Sequence, residues 1–457
     1  MRTWFADYAW LGGEELAPGV VLEDAGDGRL ARVAAGQDPP AGAIHLCGIV
    51  VPGLANVHSH AFHRALRGRA EAGAGDFWRW RGRMYALAAV LDPDDLFELA
   101  RATYAEMALA GITAVGEFHY LHHRLDGRRY ADPNVMGGAL VAAAAEAGVR
   151  LTLLDTCYLR AGFRAGSPLT GAQVRFSDGD PERWVDRVED LAARAGSGWR
   201  LGAAVHSVRA VDERSMGVVA GWARARGAPL HMHLSEQPAE NEEALAATGR
   251  TPTGQAGAAG VLGPHTVAIH ATHLTGGDVE ALGATGTGVC LCPTTERDLG
   301  DGVGPAGKLV AAGCPLSLGT DSHAVVDLLE EARLVELHER LVHRRRGGLA
   351  TAALLEAATA GGYRALGWSA DDDRAAAPLA AGSPADFVTL DRASVRLAGL
   401  APTEGVAGLV FAATASDVTD VVVAGRTVVR DRSHVTIPDV ARDLHRAITS
   451  AWSRVAL

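Results

Sequence analysis

The sequence is almost without lysine: Lys308 is the only one in 457 residues, and every other basic side chain among its 43 is an arginine. Chemistry that depends on a lysine amine, such as a Schiff base, is therefore excluded everywhere except at this position. Arginine in excess, together with abundant alanine and glycine, is typical of a genome-wide codon bias. A guanidinium group is also the side chain that binds a carboxylate through two parallel hydrogen bonds, so a functional use stays open.

Disulfide frameworks, long apolar runs and positive net charge are missing as well. The five cysteines are scattered and odd in number, which favours a reducing, cytoplasmic compartment. No stretch of about 18 apolar residues predicts a membrane span, and the opening MRTWFADYAW lacks the pattern of a signal peptide. A formal charge of −11 argues against a nucleic-acid partner. We therefore expect neither nucleic acid nor membrane among the partners.

Strand patterns at both ends enclose a longer region in which strand and helix patterns alternate. Short strand-like runs separated by turns occupy residues 1–50 and again 377–457, where a terminal helix follows. Residues 51–376 contain eight strand-like segments between alanine-rich helical ones: GIVVPGLANVHSH, ITAVGEFH, VRLTLLDTCY, RLGAAVHS, PLHMHLSE, TVAIHATHL, TGVCLCP and PLSLGTDSH. The sequence therefore predicts an α/β fold, a TIM-like (β/α)8 barrel with a small β-sandwich domain formed by both termini.

Three histidines, His58, His60 and His63, lie within six positions in VPGLANVHSHAFH. The preceding run is apolar, β-branched and bounded by glycine and proline, which predicts one buried strand through GIVVPGLANV. Alternate side chains of a strand share a face, so His58 and His60 point the same way. Two neutral imidazoles on one face suit a transition-metal ion. The alternative is a polar strand end that meets solvent, and the spacing alone leaves both open.

Further polar side chains follow the later strands of the predicted barrel. His233 ends PLHMH and is followed by Glu236, His270 ends TVAIH, and Asp321 ends PLSLGTD. Catalytic residues of such barrels collect at the carboxyl ends of the strands, so we expect these groups to meet. Three imidazoles and one carboxylate suit a single zinc ion with a hydrolytic role. The predicted metal ligands are His58, His60, His233 and Asp321.

These strand-end motifs resemble those of the amidohydrolase superfamily, and the resemblance covers essentially the whole chain. The matching pieces are PGLANVHSH, HMHLSE, IHATHL and LGTDSH, with the tail AAGSPADFVTLD. The resemblance implies a metal-binding barrel beside a small β-domain made from both termini. Many relatives bridge two metals with a carbamylated lysine on an intermediate strand; Lys308 lies elsewhere, which implies one metal per chain. The HxxE spacing of His233 and Glu236 resembles the deaminase branch, which expels ammonia from a C–N centre.

Within that branch the sequence resembles the formimidoylglutamate deiminases of histidine degradation, through VHSHAFHRAL, DFWRWRGRMY, AVGEFHYLHH, HSVRAV, HLSEQ and CPTTERDLGDG. The resemblance implies a homodimer that hydrolyses N-formimino-L-glutamate to N-formyl-L-glutamate and ammonia. It also implies the residues that contact this small dicarboxylate substrate: His63, Arg81, Tyr120, His206 and Arg209. The family usually has glutamine where His63 stands, so we expect altered affinity rather than another reaction.

The catalytic roles can be stated as a hypothesis. Zinc lowers the pKa of its water towards about 7, which supplies hydroxide at neutral pH. Asp321, beside that water, accepts its proton, and His270 orients the nucleophile. Glu236 carries protons to the departing nitrogen, so that it leaves as ammonia.

The arginines support a substrate with two carboxylates, because fixed guanidinium groups bind such a tail best. Arg209 lies just past a strand, whereas Arg81 in FWRWR is equally well explained as a loop arginine that packs on tryptophan. Two rival functions stay open. A mononuclear deaminase of a purine, pyrimidine or triazine ring would need stacking aromatic side chains rather than paired arginines. A non-catalytic scaffold on the same barrel would lack metal ligands, and here all of them are present.

Overall fold

A computed structural model describes residues 2–69, 77–163, 168–196, 198–369 and 379–455 of the chain. The first strands of the chain are β1 (Thr3–Ala9), β2 (Ala17–Asp24), β3 (Leu30–Ala34) and β4 (Ile44–Pro52). The next eight are β5 (Leu54–Ser59), β6 (Ile112–His119), β7 (Arg150–Cys157), β8 (Trp199–Val205), β9 (Leu230–Leu234), β10 (Thr266–His270), β11 (Gly288–Leu291) and β12 (Leu316–Leu318). The last are β13 (Phe387–Leu390), β14 (Val418–Val423), β15 (Arg426–Arg430) and β16 (Ser433–His434).

Strands β5 to β12 form a barrel in which each strand pairs in parallel with the next. A parallel bridge between Ser59 and Asp321 brings the first and last strands together and closes the ring. The other strands form a separate sheet in the order β16-β15-β14-β13-β4-β1-β2-β3, so both chain termini contribute to it. The predicted fold class is confirmed. Because all eight barrel strands run the same way, their carboxyl ends open on one face.

Helices separate the barrel strands and cover them: α1 (Phe77–Ala88), α2 (Pro93–Leu109), α3 (Val135–Ala147), α4 (Pro181–Ala192), α5 (Glu213–Ala225), α6 (Pro238–Thr248), α7 (Pro252–Ala258), α8 (Gly276–Thr285), α9 (Pro293–Leu299), α10 (Ala306–Ala311), α11 (Leu328–His343), α12 (Thr351–Ala358), α13 (Ala360–Ala365), α14 (Gly405–Phe411) and α15 (Val440–Ser453). Two of them, α2 and α4, begin at an Asp-Pro pair. Asp92 and Asp180 accept hydrogen bonds from the third residue of their helices, and the following proline needs no donor. None of the described helices is long and apolar enough to cross a membrane.

The run GIVVPGLANVHSH, predicted as one strand, is two strands in different sheets. β4 ends at Pro52 and pairs with β1 and β13, whereas β5 begins at Leu54 and opens the barrel. Proline has no N–H for a ladder, and a side chain at Gly53 would meet Thr113 Oγ1 at 2.1 Å. The chain therefore changes sheets at these two residues. The predicted domain boundary at 376/377 lies outside the described residues.

The terminal helix supports the segment that follows the first histidine motif. α15 packs against α2, and the indole of Trp452 donates a hydrogen bond to the carbonyl of Ala65 at 2.7 Å. Ala65 belongs to the short helical turn Ala61–Leu66, which begins directly after His60. The C-terminal helix thus helps to fix the turn Ala61–Leu66, which follows the first barrel strand.

Candidate metal and active site

The four predicted metal ligands lie together at the carboxyl face of the barrel. His58 Nε2 is 3.1 Å from His233 Nε2 and 3.2 Å from Asp321 Oδ1. His60 Nε2 is 3.4 Å from the same carboxylate oxygen. All four side chains are buried. The structure divides the predicted ligands between two groups that share Asp321: His58 and His233 lie with His270, and His60 lies with His63.

The hydrogen bonds of these histidines suit metal binding. His60 Nδ1 and His233 Nδ1 donate to the carbonyls of Phe118 and His206, each at 2.9 Å. In the neutral rings the proton is therefore on Nδ1, and the lone pair of Nε2 faces the cluster, as in histidines that bind metals. Several lone pairs and a carboxylate that face one another need a cation between them. The donor set fits zinc.

Burial and nearby charges set the protonation states of the predicted metal ligands. Burial lowers the pKa of His58, His60 and His233, so that the imidazoles are neutral at physiological pH. Burial alone would raise the pKa of Asp321, but a hydrogen bond from His58 and nearby positive charge hold it well below its usual range. The cluster is thus deprotonated, which is the state a metal ion binds.

The backbone around the cluster is held in conformations that few residues adopt. His270 has φ +68° and Asp321 has φ +43°, both in the left-handed region. Strain of this kind persists where the surrounding structure imposes it, and it clusters at functional sites. Gly319 lies against His58, where a Cβ would come within 2.8 Å of the His58 Cβ. Any larger residue there would displace this histidine.

The three predicted catalytic side chains, Glu236, His270 and Asp321, lie close together at the predicted metal site. His270 Nε2 lies 3.8 Å from Glu236 Oε1 and 3.9 Å from Asp321 Oδ2. Burial raises the pKa of Glu236, which makes it able to hold a proton. For His270, burial would lower the pKa, but the charges of Glu236, Glu296 and Asp321 raise it well above its ordinary value.

Glu296 was not identified from the sequence. Its Oε1 lies 3.3 Å from His270 Nδ1 and accepts the backbone N–H of Cys292 at 2.9 Å. It therefore orients the ring of His270 from the side opposite to Glu236. Its position in CPTTERDLGDG, one turn into the helix that follows a barrel strand, is the signal that could have found it.

A pocket opens onto the cluster. Its walls include all five predicted substrate contacts, namely His63, Arg81, Tyr120, His206 and Arg209, together with His60, His233, Glu236 and Asp321. Among the residues that line this pocket neither His58 nor His270 appears, since both lie deeper in the barrel. The five predicted contacts therefore share one cavity with Glu236 and Asp321, and His270 lies outside its lining.

His63 and Tyr120 form a pair on one side of the pocket. His63 Nε2 lies 2.9 Å from the hydroxyl of Tyr120, and His63 Nδ1 has no partner among the described residues. Burial lowers the pKa of His63 to about 3, so the imidazole is neutral. It can therefore take part in hydrogen bonds as a neutral group, as the amide of glutamine does.

The two arginines differ in their surroundings. Arg81 stacks over the rings of Trp78 and Tyr85, 4.9 and 5.1 Å from their centroids, and still lines the pocket. The sequence left two interpretations of Arg81 open, a substrate contact and a loop arginine that packs on tryptophan. Arg81 both packs on Trp78 and faces the pocket, but it lies in α1 and not in a loop. Arg209 Nε lies 3.9 Å from Oε2 of Glu240, a buried carboxylate that sequence reasoning missed. Burial raises the pKa of Glu240 to about 7, so its negative charge is only partial near neutral pH.

Comparison with known proteins shows a likeness that extends over both the barrel and the terminal sheet. The model of the Amidohydrolase family matches residues 49–428. The formimidoylglutamate deiminase of Pseudomonas aeruginosa is 39% identical over 448 residues, 95% of this chain and 96% of that protein. The 5-methylthioadenosine/S-adenosylhomocysteine deaminase of Natronomonas pharaonis is 28% identical, with 97% of each covered. The crystal structure of an amidohydrolase from Brucella melitensis has a TM-score of 0.89 at 33% identity, covering 99% of this chain and 100% of that one.

Proposed function

Because the chain belongs to the amidohydrolase family, whose enzymes depend on metals, we propose that it is a deiminase that hydrolyses N-formimino-L-glutamate. The products are N-formyl-L-glutamate and ammonia, as in histidine degradation. The identity of 39% to a formimidoylglutamate deiminase over nearly the full length of both chains supports this substrate.

The observation that carries the proposal is the presence of two arginines in the same pocket as the catalytic cluster. Arg81 and Arg209 line the cavity that also contains Glu236 and Asp321. The substrate has two carboxylates, and charge-assisted hydrogen bonds from guanidinium groups are the strongest that a protein can offer them. A neutral ring substrate has no carboxylate for either guanidinium to bind.

We propose one zinc ion per chain, held by His58, His60, His233 and Asp321. Zinc bound there would lower the pKa of a water molecule to about 7 and so supply a nucleophile at neutral pH. The donor set and the inward-facing imidazole nitrogens support this assignment.

The remaining steps belong to side chains of the protein. Asp321 Oδ2 accepts the proton of the attacking water, and His270 Nε2 orients that water towards the formimino carbon. The water oxygen adds to this carbon, and the electron pair of the C=N double bond moves to the terminal nitrogen, which gives a tetrahedral centre. The C=O bond then forms as the remaining C–N bond breaks. The nitrogen leaves as ammonia with the two protons that the water gave up, one at each stage. Glu236 Oε1 delivers a proton to the departing nitrogen, and its raised pKa suits a group that both accepts and releases a proton.

The alternative substrate is a purine, pyrimidine or triazine ring. The deaminase of Natronomonas pharaonis, with 28% identity, supports it, and aromatic side chains such as Trp80 and Phe176 also line the pocket. The paired arginines favour the dicarboxylate. A homodimer and a cytoplasmic location stay predictions, the latter resting on five cysteines that are all free.

The experiment that tests the proposal offers both substrate classes to the purified, zinc-loaded protein. We expect ammonia from formiminoglutamate in equal amount to N-formyl-L-glutamate, measured by a coupled ammonia assay and by mass spectrometry. Glu236→Gln, prepared in parallel, is the control for a contaminating enzyme. Ammonia from adenosine derivatives, with none from formiminoglutamate, would show that the substrate is a ring.

A further inference from the structure

Two tyrosines form a part of the pocket wall that has no role in the proposed reaction, and a glutamine lies behind them. Tyr158 directly follows β7, and its ring lies 4.7 Å from the ring of His206. Tyr85, in α1, lies under the guanidinium of Arg81. Both tyrosines line the pocket. Gln173, in the helical turn Gly171–Arg175, is buried behind them.

The amide of Gln173 determines how these hydroxyls are polarised. Its Nε2 is 2.9 Å from the hydroxyl of Tyr158 and 3.5 Å from that of Tyr85. Its Oε1 accepts the backbone N–H of Thr170 at 3.2 Å, which sets the orientation of the amide, because a flipped amide would place two donors face to face. An amide nitrogen only donates, so both phenol oxygens act as acceptors here.

Each phenol then keeps its own proton for another partner. At most one of these two protons can bridge the two hydroxyl oxygens, and no acceptor for the other occurs among the described residues. Burial raises the pKa of Tyr158, so it stays a neutral donor. This wall therefore has a surplus of donors next to two guanidinium groups, and a carboxylate is the group that accepts from all of them.

We propose that Tyr85 and Tyr158, polarised by Gln173, donate hydrogen bonds to the side-chain carboxylate of the substrate and so select a dicarboxylate. The inference rests on the proposed function, since it assigns further specificity residues to that substrate. The tyrosines act by contact with the substrate, and Gln173 acts through them as a positioning residue.

The first test removes one hydroxyl and keeps the ring. Tyr158→Phe should lower kcat/KM for formiminoglutamate by roughly 10–100-fold, mainly through KM. N-formimino-L-glutamine is the matched neutral analogue, and with it the loss should be no more than a few-fold. Zinc content should be unchanged, and the melting temperature should fall slightly, because the buried Nε2 of Gln173 loses an acceptor. Equal losses for the two substrates would overturn the proposal.

The second test reverses the polarity behind the tyrosines. Gln173→Glu keeps the acceptor for the N–H of Thr170 but replaces the amide donor by a carboxylate, which takes both phenol protons. We expect a loss at least as large as that of Tyr158→Phe, and little further loss when the two changes are combined. A Gln173→Glu protein with the KM of the parent would overturn the positioning role.

Binding of the product separates this inference from the proposed reaction. Calorimetry with the zinc-loaded protein should show tighter binding of N-formyl-L-glutamate than of N-formyl-L-glutamine, and Tyr158→Phe should remove most of the difference. If the parent releases no ammonia from formiminoglutamate, the proposed function fails, and the binding difference still supports carboxylate recognition by the tyrosine. Equal affinity for the two ligands, or a difference that survives in Tyr158→Phe, would overturn the inference.

Discussion

Two buried clusters in the barrel consist of the same residue types, histidine and aspartate. The strand-end cluster joins two groups that share Asp321 and contains His58, His60, His233, His270 and Asp321. The wall cluster contains His119, His122 and Asp155. His119 follows Phe118 on β6, and alternation along the strand turns it away from the strand-end cluster, which Phe118 contacts. Residue type alone would assign a metal ion to either of them.

The two clusters differ in the group that neutralises the negative charge of their aspartate. Both oxygens of Asp155 receive hydrogen bonds from Arg187, at 2.7 and 2.8 Å, and Trp184 donates to Oδ1 at 2.9 Å. His122 Nε2 donates to the carbonyl of Thr156 rather than facing the aspartate with a lone pair. Arg187 thus neutralises Asp155, as a metal ion would otherwise do. Among the described residues Asp321 has no arginine or lysine partner, only histidines.

The largest difference should appear when each aspartate is neutralised. Asp321→Asn removes the only carboxylate of the proposed ligand set and should abolish zinc loading and turnover, as should alanine at His58, His60 or His233. Asp155→Asn should keep zinc and activity while lowering stability, because Arg187 then keeps only Asp178 as a carboxylate partner. Metal analysis of the purified variants is the measurement. Zinc lost from Asp155→Asn but retained by Asp321→Asn would reverse the assignment.

A second change tests catalysis at the strand-end cluster without removing a ligand. Glu236→Gln keeps the size of the side chain but cannot carry a proton, so kcat should fall by about 10²–10⁴-fold with zinc content unchanged. Steady-state kinetics with formiminoglutamate is the measurement. A kcat within a few-fold of the parent would mean that another group moves the proton.

Arg209 tests whether the pocket beside this cluster binds a carboxylate. Arg209→Met should lower kcat/KM for formiminoglutamate by roughly 10–200-fold, and less for an analogue in which that carboxylate is an amide. The change also leaves Glu240 without its cation, so Arg209→Met/Glu240→Gln is the matched control for damage to the fold. If the charged and amide substrates lose equally in both variants, Arg209 only supports the structure.

The smallest expected effect concerns the wall cluster and pH. Burial lowers the pKa of His122 to about 4, from an ordinary value of 6.5. Because the unfolded chain binds this proton first, stability falls as pH drops from about 6.5 towards 4, by about 2 kcal/mol at pH 5. Urea unfolding of the metal-free protein at pH 7.5 and pH 5 should show a weaker pH dependence for His122→Gln. An unchanged dependence would mean that His122 is not a buried neutral group.

The sequence predicted the barrel and the meeting of the strand-end side chains for a physical reason. Apolar runs mark the strands, and polar residues directly after them must lie at one face of a parallel barrel. Tyr158 follows β7 in the same manner and could have been found by the same rule. The ligand and contact roles stay predictions, although all of these side chains except His58 line one cavity.

Other features could not be predicted because no local pattern carries them. Glu240 and Gln173 lie on a helix and a helical turn, and their roles depend on which loop packs against them. The change of sheets at Pro52 depends on the approach of Thr113, which is distant in sequence. The contrast between the two clusters depends likewise on Arg187. This arginine lies in α4, the helix that follows the strand of Asp155, about 30 residues further along the chain.

Titration of metal-stripped protein with zinc, followed by ammonia release from formiminoglutamate, tests the central claim most directly. Activity should be absent without metal, rise in proportion to added zinc and stop rising at one equivalent per chain. Asp155→Asn should follow the same line as the parent, and Asp321→Asn should stay at zero. Full activity of the metal-stripped protein, or a rise that continues to two equivalents, would contradict a single metal at the strand-end cluster.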